Sequence, residues 1–412
     1  MTTRSDQAAG VPGANEGPFA GVRILDISTV VAGPWAATLL ADLGAEVLKV
    51  ELPGSGDALR ALAPHKAGVP LWWKATNRNK AGITLDVRQP EGKALFERLL
   101  PRYDVLVENF RPGTLDRWGL GGARLLELQP KLIVLRLTGY GQTGPYRNRP
   151  GFARIFEAMS GFTNLCGEAD GPPLHLGFPI ADAIAGLFGA LGIAAALYER
   201  QRAPAHAGQE IDCSLFESMF RVLDFLPIEF DQLGIVRSRS GNRSQYAAPG
   251  NVYRTRDGHW ASIAASTQSI YERLCRALGR GDLVDDPRFA SNPARVAHRD
   301  ALDEIIAAEV AKHTIDALRA LLDDHEVGFS PVYTIEDVFA DPQVAAREAI
   351  VTVADDELGP VRMQGVVPRF SRTPGRVVRA GPALGENNDD VYRDVLGLSP
   401  ADIEGLRARR VI

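Results

Sequence analysis

The sequence predicts an α/β protein, with a large Rossmann-like domain on a parallel sheet and a smaller α+β domain. Three observations predict it. Short β-branched runs alternate with helical stretches in the first third of the chain, polar and glycine-rich segments follow those runs, and after Arg200 the pattern changes to hairpins and amphipathic helices.

In chain order, Val22–Ile27 reads as a buried strand, Pro34–Leu43 as a helix and Glu46–Val50 as a second strand, which is a βαβ unit. The theme returns with a helix at Pro90–Leu100, a strand at Asp104–Val107, a helix at Gly122–Leu128 and a strand at Leu132–Leu137. Proline near a helix start is tolerated because the first N–H groups have no partner in the helix. Parallel strands joined by crossover helices imply a doubly wound sheet. Ligands of such sheets bind beyond the carboxyl ends of the strands, so Ser28–Ala32, Glu51–Gly54, Glu108–Arg111 and Thr138–Gly144 form the expected binding edge.

The most apolar stretch, Ala181–Leu197, is shorter than the ~20 residues of a membrane span and opens on Asp182. It reads as a buried helix. Ile211–Leu226 reads as a further apolar helix leading away from the sheet, with Cys213 on it. Tyr253–Ala264 reads as a strand pair around Asp257-Gly258, followed by helices to about Asp324. Phe329–Phe339 then returns to the large domain, with a helix at Gln343–Ile350 and a strand at Val361–Val367. The expected divisions are a flexible tail at 1–19, the large domain at 20–205, a linker helix at 206–230, the small domain at 231–330 and a returning segment at 331–412.

With 45% hydrophobic and 24% charged residues among 412, the chain has an ordinary globular composition. A net charge of -5 offers polyphosphate no attractive field, so nucleic acid is not an expected partner. Cys166, Cys213 and Cys275 are far apart and without CxxC spacing, which argues against a disulfide framework and a zinc site. Met1–Phe19 lacks the apolar core of a signal peptide. A cytoplasmic protein without membrane association is expected. The seven histidines are scattered, none at metal-ligand spacing, so no metal is expected.

Gly139-Tyr140-Gly141-Gln142-Thr143-Gly144 matches the glycine fingerprint of dinucleotide folds. The following Pro145–Pro150 run cannot open the helix that would hold a pyrophosphate, so a plain turn or an acyl-CoA loop is expected instead. Asp182 stands at the mouth of the apolar helix. One reading is an N-cap or first-turn aspartate, favoured by the unpaired backbone N–H groups and the helix dipole and worth about 1 kcal/mol. What sets it apart from an ordinary first-turn aspartate is that it is one carboxylate in a dry setting.

Several segments in order carry a resemblance: Val31-Ala32-Gly33-Pro34, Gly44-Ala45-Glu46-Val47-Leu48-Lys49-Val50-Glu51, Asn79-Lys80 with Leu85-Asp86, and Val107-Glu108-Asn109-Phe110-Arg111-Pro112-Gly113. Leu115-Asp116-Arg117, Gly139–Tyr146, Asp182 with its small-residue helix and Ser330-Pro331-Val332 extend it. From about Gly21 to its end the chain resembles the class III CoA-transferases. The resemblance implies an enzyme acting on acyl-CoA and small carboxylic acids, and two interlocked ring-shaped subunits forming a homodimer. It implies Asp182 as the catalytic nucleophile. It also implies coenzyme A binding at Val30, Val31, Ala32, Leu85, Asp86, Val87, Arg88, Asn109, Phe110, Arg111 and Arg117.

The chemistry suits these residue types. A poorly hydrated carboxylate beside a held thioester gains proximity worth up to ~7–11 kcal/mol. Asp182 would attack the acyl-CoA to give a mixed anhydride, and the thiolate would return to give an aspartyl-CoA thioester. Guanidinium groups at Arg88, Arg111 and Arg117 suit phosphates because they offer forked donors and a permanent charge.

Some positions depart from the family pattern. Leu52 stands where a basic residue is common and Ala153 where an acidic one is common. The glycine-rich loop of formyl-CoA transferase is not evident in Gly241–Tyr246, so formyl or oxalyl specificity is not expected. An α-methylacyl-CoA racemase of the same fold would need a histidine where Phe152 stands. Intramolecular CoA transfer would need the same aspartate, and a non-catalytic acyl-CoA binder would use Asp182 only as a helix cap. Arg237, Arg239 and Arg243 read either as a basic surface loop or as a cluster for the far carboxylate of a diacid such as succinate.

Overall fold

The computed structural model describes residues 16–203 and 205–412. Residues 1–15 of the expected flexible tail lie outside the described residues. From Gly17 onward the tail reading is corrected: Gly17 is buried and the Phe19 N–H donates to the Leu43 carbonyl at 2.9 Å.

The chain divides into two compact units, the larger comprising residues 16–162, Leu176–Pro227 and Ala345–Ile412. Its sheet has six strands, β1 (Arg23–Asp26), β2 (Glu46–Glu51), β3 (Lys80–Thr84), β4 (Val105–Glu108), β5 (Ile133–Thr138) and β6 (Gln209–Ser214). They lie in the order β3-β2-β1-β4-β5-β6, with every neighbouring pair parallel. The order reverses between β1 and β4, where a doubly wound sheet opens its ligand crevice.

Side chains alternate across each strand, and both faces are covered. Leu25, Leu48, Ile83 and Leu106 meet Phe96 and Leu99 of helix α2 (Pro90–Leu99), whereas Ile24, Val47, Val105 and Leu135 face α1 (Ala32–Asp42) and the long helix Ile180–Arg202. Between them come α3 (Gly122–Leu128) and α4 (Ala153–Met159); α5 spans Ile180–Arg202 and α6 Leu215–Arg221. Run 139–150 forms turns and no helix, because the prolines at 145 and 150 and the glycines interrupt it.

At 23 residues α5 is longer than its apolar core suggested, and by length and composition alone it could cross a membrane. Its alanine and glycine stripe is nevertheless buried against α1 and β5. A Cβ on Gly189 would come within 2.9 Å of the Leu135 side chain, so glycine is what allows the close approach.

Two readings of this unit are corrected. The linker helix expected at 206–230 is instead strand β6 followed by α6, and Cys213 sits on the strand. As an edge strand, β6 alternates between exposed polar residues and the inward-facing Ile211 and Cys213, and the short repeat mimicked a helical stripe. Strand β3, Lys-Ala-Gly-Ile-Thr, carried no strand pattern because it is buried on both faces and includes a charged residue.

The smaller unit comprises Thr163–His175 and Ile228–Val344. Strands β7 (Gly250–Arg254), β8 (Trp260–Ala264) and β9 (Phe329–Pro331) form an antiparallel sheet in the order β9-β8-β7. Tyr271, Leu274, Phe289, Leu302, Ile306 and Leu318 build its own core. The expected boundary at 330 is corrected, because β9 pairs with β8 and keeps the chain in this unit to Val344. Only then does the chain rejoin the larger unit, through the antiparallel ribbon β10 (Ile350–Asp355) and β11 (Gly359–Gln364).

Candidate active site

The crevice between β1 and β4 is closed by two loops that bond to each other. The Thr29 N–H donates to Asn109 Oδ1 at 2.8 Å, and Asn109 Nδ2 donates back to the Thr29 carbonyl at 2.7 Å. The next residue, Val30, has φ +65°, a left-handed conformation unfavourable for a β-branched side chain. Its N–H donates to both carboxylate oxygens of Asp57, at 3.0 and 3.2 Å. Phe110 is fixed by its N–H donating to Glu108 Oε2 at 2.8 Å.

Beneath these loops lies a buried charge cluster. Lys80 Nζ donates to Asp26 Oδ2 and the Pro34 carbonyl at 2.8 Å each, and to Asn77 Oδ1 at 2.9 Å. Lys49 lies 3.6 Å from Asp26 and 3.4 Å from Asp57 and donates to the Ser28 carbonyl. Burial opposes the charge on Asp26, but Lys49 and Lys80 outweigh it and hold the carboxyl below its ordinary range. Burial lowers the Lys80 pKa to about 8, against the pull of Asp26.

Above the loops a cavity of about 230 Å³ is lined by Thr29–Ala32, Asn109–Pro112, Arg147, Arg149, Phe152, Phe156 and Asp182, among others. Asp182 belongs to the first turn of α5, whose N-cap is Pro179. It is not the N-cap and accepts no capping hydrogen bond, so of the N-cap or first-turn reading only the first-turn acidic placement remains. Burial, with the fully buried Glu157 of α4 adding its negative charge, pushes the Asp182 pKa up to about 7.

A second cavity, of about 350 Å³, lies on the β2 and β3 side of the same loops. Its walls are mainly apolar: Ile27, Val50, Leu52, Leu85, Val87, Phe110 and Trp118, with Arg88 at its margin. Phe110 and Trp118 meet edge to face, with centroids 5.0 Å apart. Thr29 and Phe110 line both cavities.

The structure therefore brings most of the sequence-predicted residues to two adjoining cavities. Val30, Val31, Ala32, Asn109, Phe110, Arg111 and Asp182 line the first; Leu85, Val87 and Arg88 line the second. Asp86 lines neither: its carboxylate accepts from the Arg88 guanidinium at 2.7 and 2.9 Å. Arg117 lines neither cavity and donates to Thr114 Oγ1 at 2.9 Å. Leu52 is a wall of the second cavity, and the buried Ala153 lines neither.

The basic cluster is corrected as a carboxylate site. Arg237 is paired with Glu229, Arg239 donates to the Gly171 carbonyl at 3.0 Å, and Arg243 is paired with Asp300 and Asp303, all within the smaller unit. By contrast, Arg111 and Arg147 share the Asp182 cavity, and among the described residues no carboxylate pairs with them. Sequence reasoning also missed Glu157 and Asp57.

Residues 19–388 match the family model described as CoA-transferase family III. The succinyl-CoA–D-citramalate CoA-transferase of Chloroflexus aurantiacus is 44% identical over 396 residues, covering 96% of this chain and 98% of that protein. The succinyl-CoA–L-malate CoA-transferase beta subunit of the same organism is 41% identical over 399 residues, covering 96% and 98%. Among solved structures, a CaiB/BaiF family protein from Brucella suis superposes with a TM-score of 0.81 at 35% identity, over 92% of this chain and 99% of that one.

Proposed function

The chain belongs to CoA-transferase family III, and from that premise we propose that it moves coenzyme A from succinyl-CoA, or another dicarboxylyl-CoA, to a second dicarboxylic acid through Asp182. An Asp182 oxygen attacks the thioester carbonyl, the C–S bond breaks and CoA thiolate leaves, giving a mixed anhydride. The thiolate attacks the aspartyl carbonyl and expels the donor acid, leaving an aspartyl-CoA thioester. The acceptor carboxylate attacks that thioester, the C–S bond breaks and CoA thiolate leaves, giving a new anhydride. The thiolate then takes the acyl group and frees Asp182. No water or net proton is consumed.

The observation that carries the reading is the setting of Asp182: a carboxylate in a cavity wall, partly stripped of water and without a hydrogen-bond donor. Such a group is a stronger nucleophile than a hydrated one. The start of α1 lines the same cavity, with Val31 as its N-cap and Ala32 as its first residue, and no side chain caps its N–H groups. These amides suit the oxyanions of both acyl transfers, each such donor being worth ~3 kcal/mol.

The second cavity suits the adenine and pantetheine of coenzyme A, with Phe110 and Trp118 against the base. Arg111 and Arg147 are the cations available for a substrate's far carboxylate or a coenzyme phosphate. Both relatives from Chloroflexus aurantiacus act, by their names, on succinyl-CoA with a hydroxylated diacid, which supports diacids as this chain's substrates. A racemase reading loses support because no histidine lines the Asp182 cavity, where Phe152 occupies the relevant wall.

The functional form in this reading is a homodimer in the cytoplasm. Leu187, Leu191 and Tyr198 form an exposed apolar face on α5, 56%, 63% and 61% accessible, which a second copy would cover. The three free cysteines suit a reducing compartment.

The test is direct. Incubated with succinyl-CoA, the protein should gain the mass of CoA on the peptide containing Asp182, and a panel of acceptors should show diacids exchanging faster than monoacids. Asp182→Asn should lack both adduct and exchange. A variant without this carboxylate that still exchanged CoA at the normal rate would refute the assignment.

A further inference from the structure

We propose that Asp57 is a positioning residue of the acyl site: by holding Val30 in its left-handed conformation, it sets the backbone of Val30–Ala32 against Asp182. This rests on the reading of the Asp182 cavity as the place of CoA exchange.

The geometry points from an outlier to a cause. Val30 is one of few non-glycine residues with positive φ, and it is β-branched, so its own preference is to leave that conformation. Strained backbone of this kind persists only where its surroundings over-determine it, and it collects at functional sites. Val30 lies in the wall of the Asp182 cavity, directly before the residues that open α1.

The restraint comes from outside the loop. Both oxygens of Asp57 accept the Val30 N–H, and Oδ1 also accepts the Leu59 N–H at 2.9 Å. The Asp57 side chain is 1% exposed and lies 3.4 Å from the fully buried Lys49 ammonium, an ion pair that holds its orientation. The Asp57 N–H donates to Glu51 Oε2 at 2.9 Å, and Glu51 is clamped by Arg60 at 2.7 and 2.8 Å. Arg60 in turn lies over the Trp73 ring, 3.8 Å from its centroid. Asp57 is thus tied to the end of β2, while Thr29 on the other side is tied to Asn109 beyond β4. The loop is stretched between two strands of the sheet, and the strained residue falls at its midpoint.

Asp57 also lines the second cavity. A residue acting on the nucleotide directly would show itself in KM for the thioester. A residue acting through the Val30 backbone would show itself in kcat and would become dispensable once position 30 no longer resisted positive φ. Glycine adopts that conformation without steric penalty.

The experiment is a double-mutant cycle on the full-length protein with D57A, V30G and the pair, read as kcat and KM for CoA exchange between succinyl-CoA and a diacid. The formation rate of the Asp182 adduct is followed in the same samples. In the parent background D57A should lower kcat by about 10- to 100-fold, the range expected of a lost restraint on a backbone outlier. In the V30G background the same substitution should lower kcat less than about threefold. D57N, which keeps the volume and one acceptor oxygen, should fall between and serves in place of D57A if that variant does not fold.

Equal losses in the two backgrounds, or a loss confined to KM, would overturn the proposal. If the parent protein forms no adduct on Asp182, the reading of the cavity itself fails. If it does and the cycle shows no coupling, only the role of Asp57 fails.

Discussion

Two acidic regions lie within one loop of each other and behave in opposite ways. Below the loop, Asp26 is fully buried yet held in its charged form, because two lysines stand against it. Above it, Asp182 is less buried yet has its pKa pushed up to about 7, because burial is joined there by the charge of another carboxylate, Glu157. Burial alone therefore does not decide what a carboxylate does. Partnership decides: the paired charge supports the loop, and the unpaired one stays available for chemistry.

The comparison breaks first if Asp26 proves dispensable. Asp26→Asn leaves two ammonium groups buried without their shared counter-charge, a situation that typically costs about 3–5 kcal/mol. Urea unfolding should show a loss of that size. A loss under about 1 kcal/mol would mean that the cluster is not what holds the loop.

Asp182→Asn should move stability the other way. The Asp182 pKa is raised in the folded state, from 3.8 to about 7, so the folded chain holds this proton more tightly than the unfolded chain does. Below about pH 4 both states are protonated and the substitution should matter little. Between about pH 4 and pH 7 the unfolded state releases the proton first, and the parent protein loses stability as pH rises; above about pH 7 the difference is constant. With allowance for solvent reaching the carboxyl, the variant should be the more stable by on the order of 2 kcal/mol at neutral pH. Denaturation at pH 4 and pH 8 checks both sign and window.

The smallest effect sharpens the contrast. Glu157→Gln removes the negative neighbour and leaves the desolvation, the larger cause of the shift. The acidic limb of the exchange rate should move to lower pH, because Asp182 then ionises more readily, while the rate above neutral pH changes little. A limb displaced to higher pH would mean that Glu157 supports Asp182 by some means other than charge.

Much of the larger unit was legible from local pattern. The helix expected at Gly122–Leu128 is observed with those bounds, and the strands around β1, β2, β4 and β5 differ by a residue or two at their ends. These segments carry their own periodicity and need no knowledge of neighbours. Strands β3 and β6 were missed because their character comes from position: β3 is sealed on both faces around Lys80, and β6 is an edge. Asp182 was legible through its place before an apolar helix and through resemblance. Asp57, Glu157 and the left-handed Val30 were not, since nothing in their local sequence announces what they face.

Arg237 and Arg147 illustrate the boundary. In the sequence Arg237 belonged to a conspicuous basic cluster and Arg147 to a plain turn; in the fold Arg237 is paired with Glu229 and Arg147 shares a cavity with Asp182. The sequence by itself determined which elements form, the order of βα units and the strand-end loops that carry chemistry, because these follow from periodicity and backbone preference over a few residues. Tertiary structure alone decided which charges are neutralised and which are left active. Desolvation and ion pairing depend on groups brought together from distant parts of the chain, such as Asp26 with Lys80 and Asp182 with Glu157.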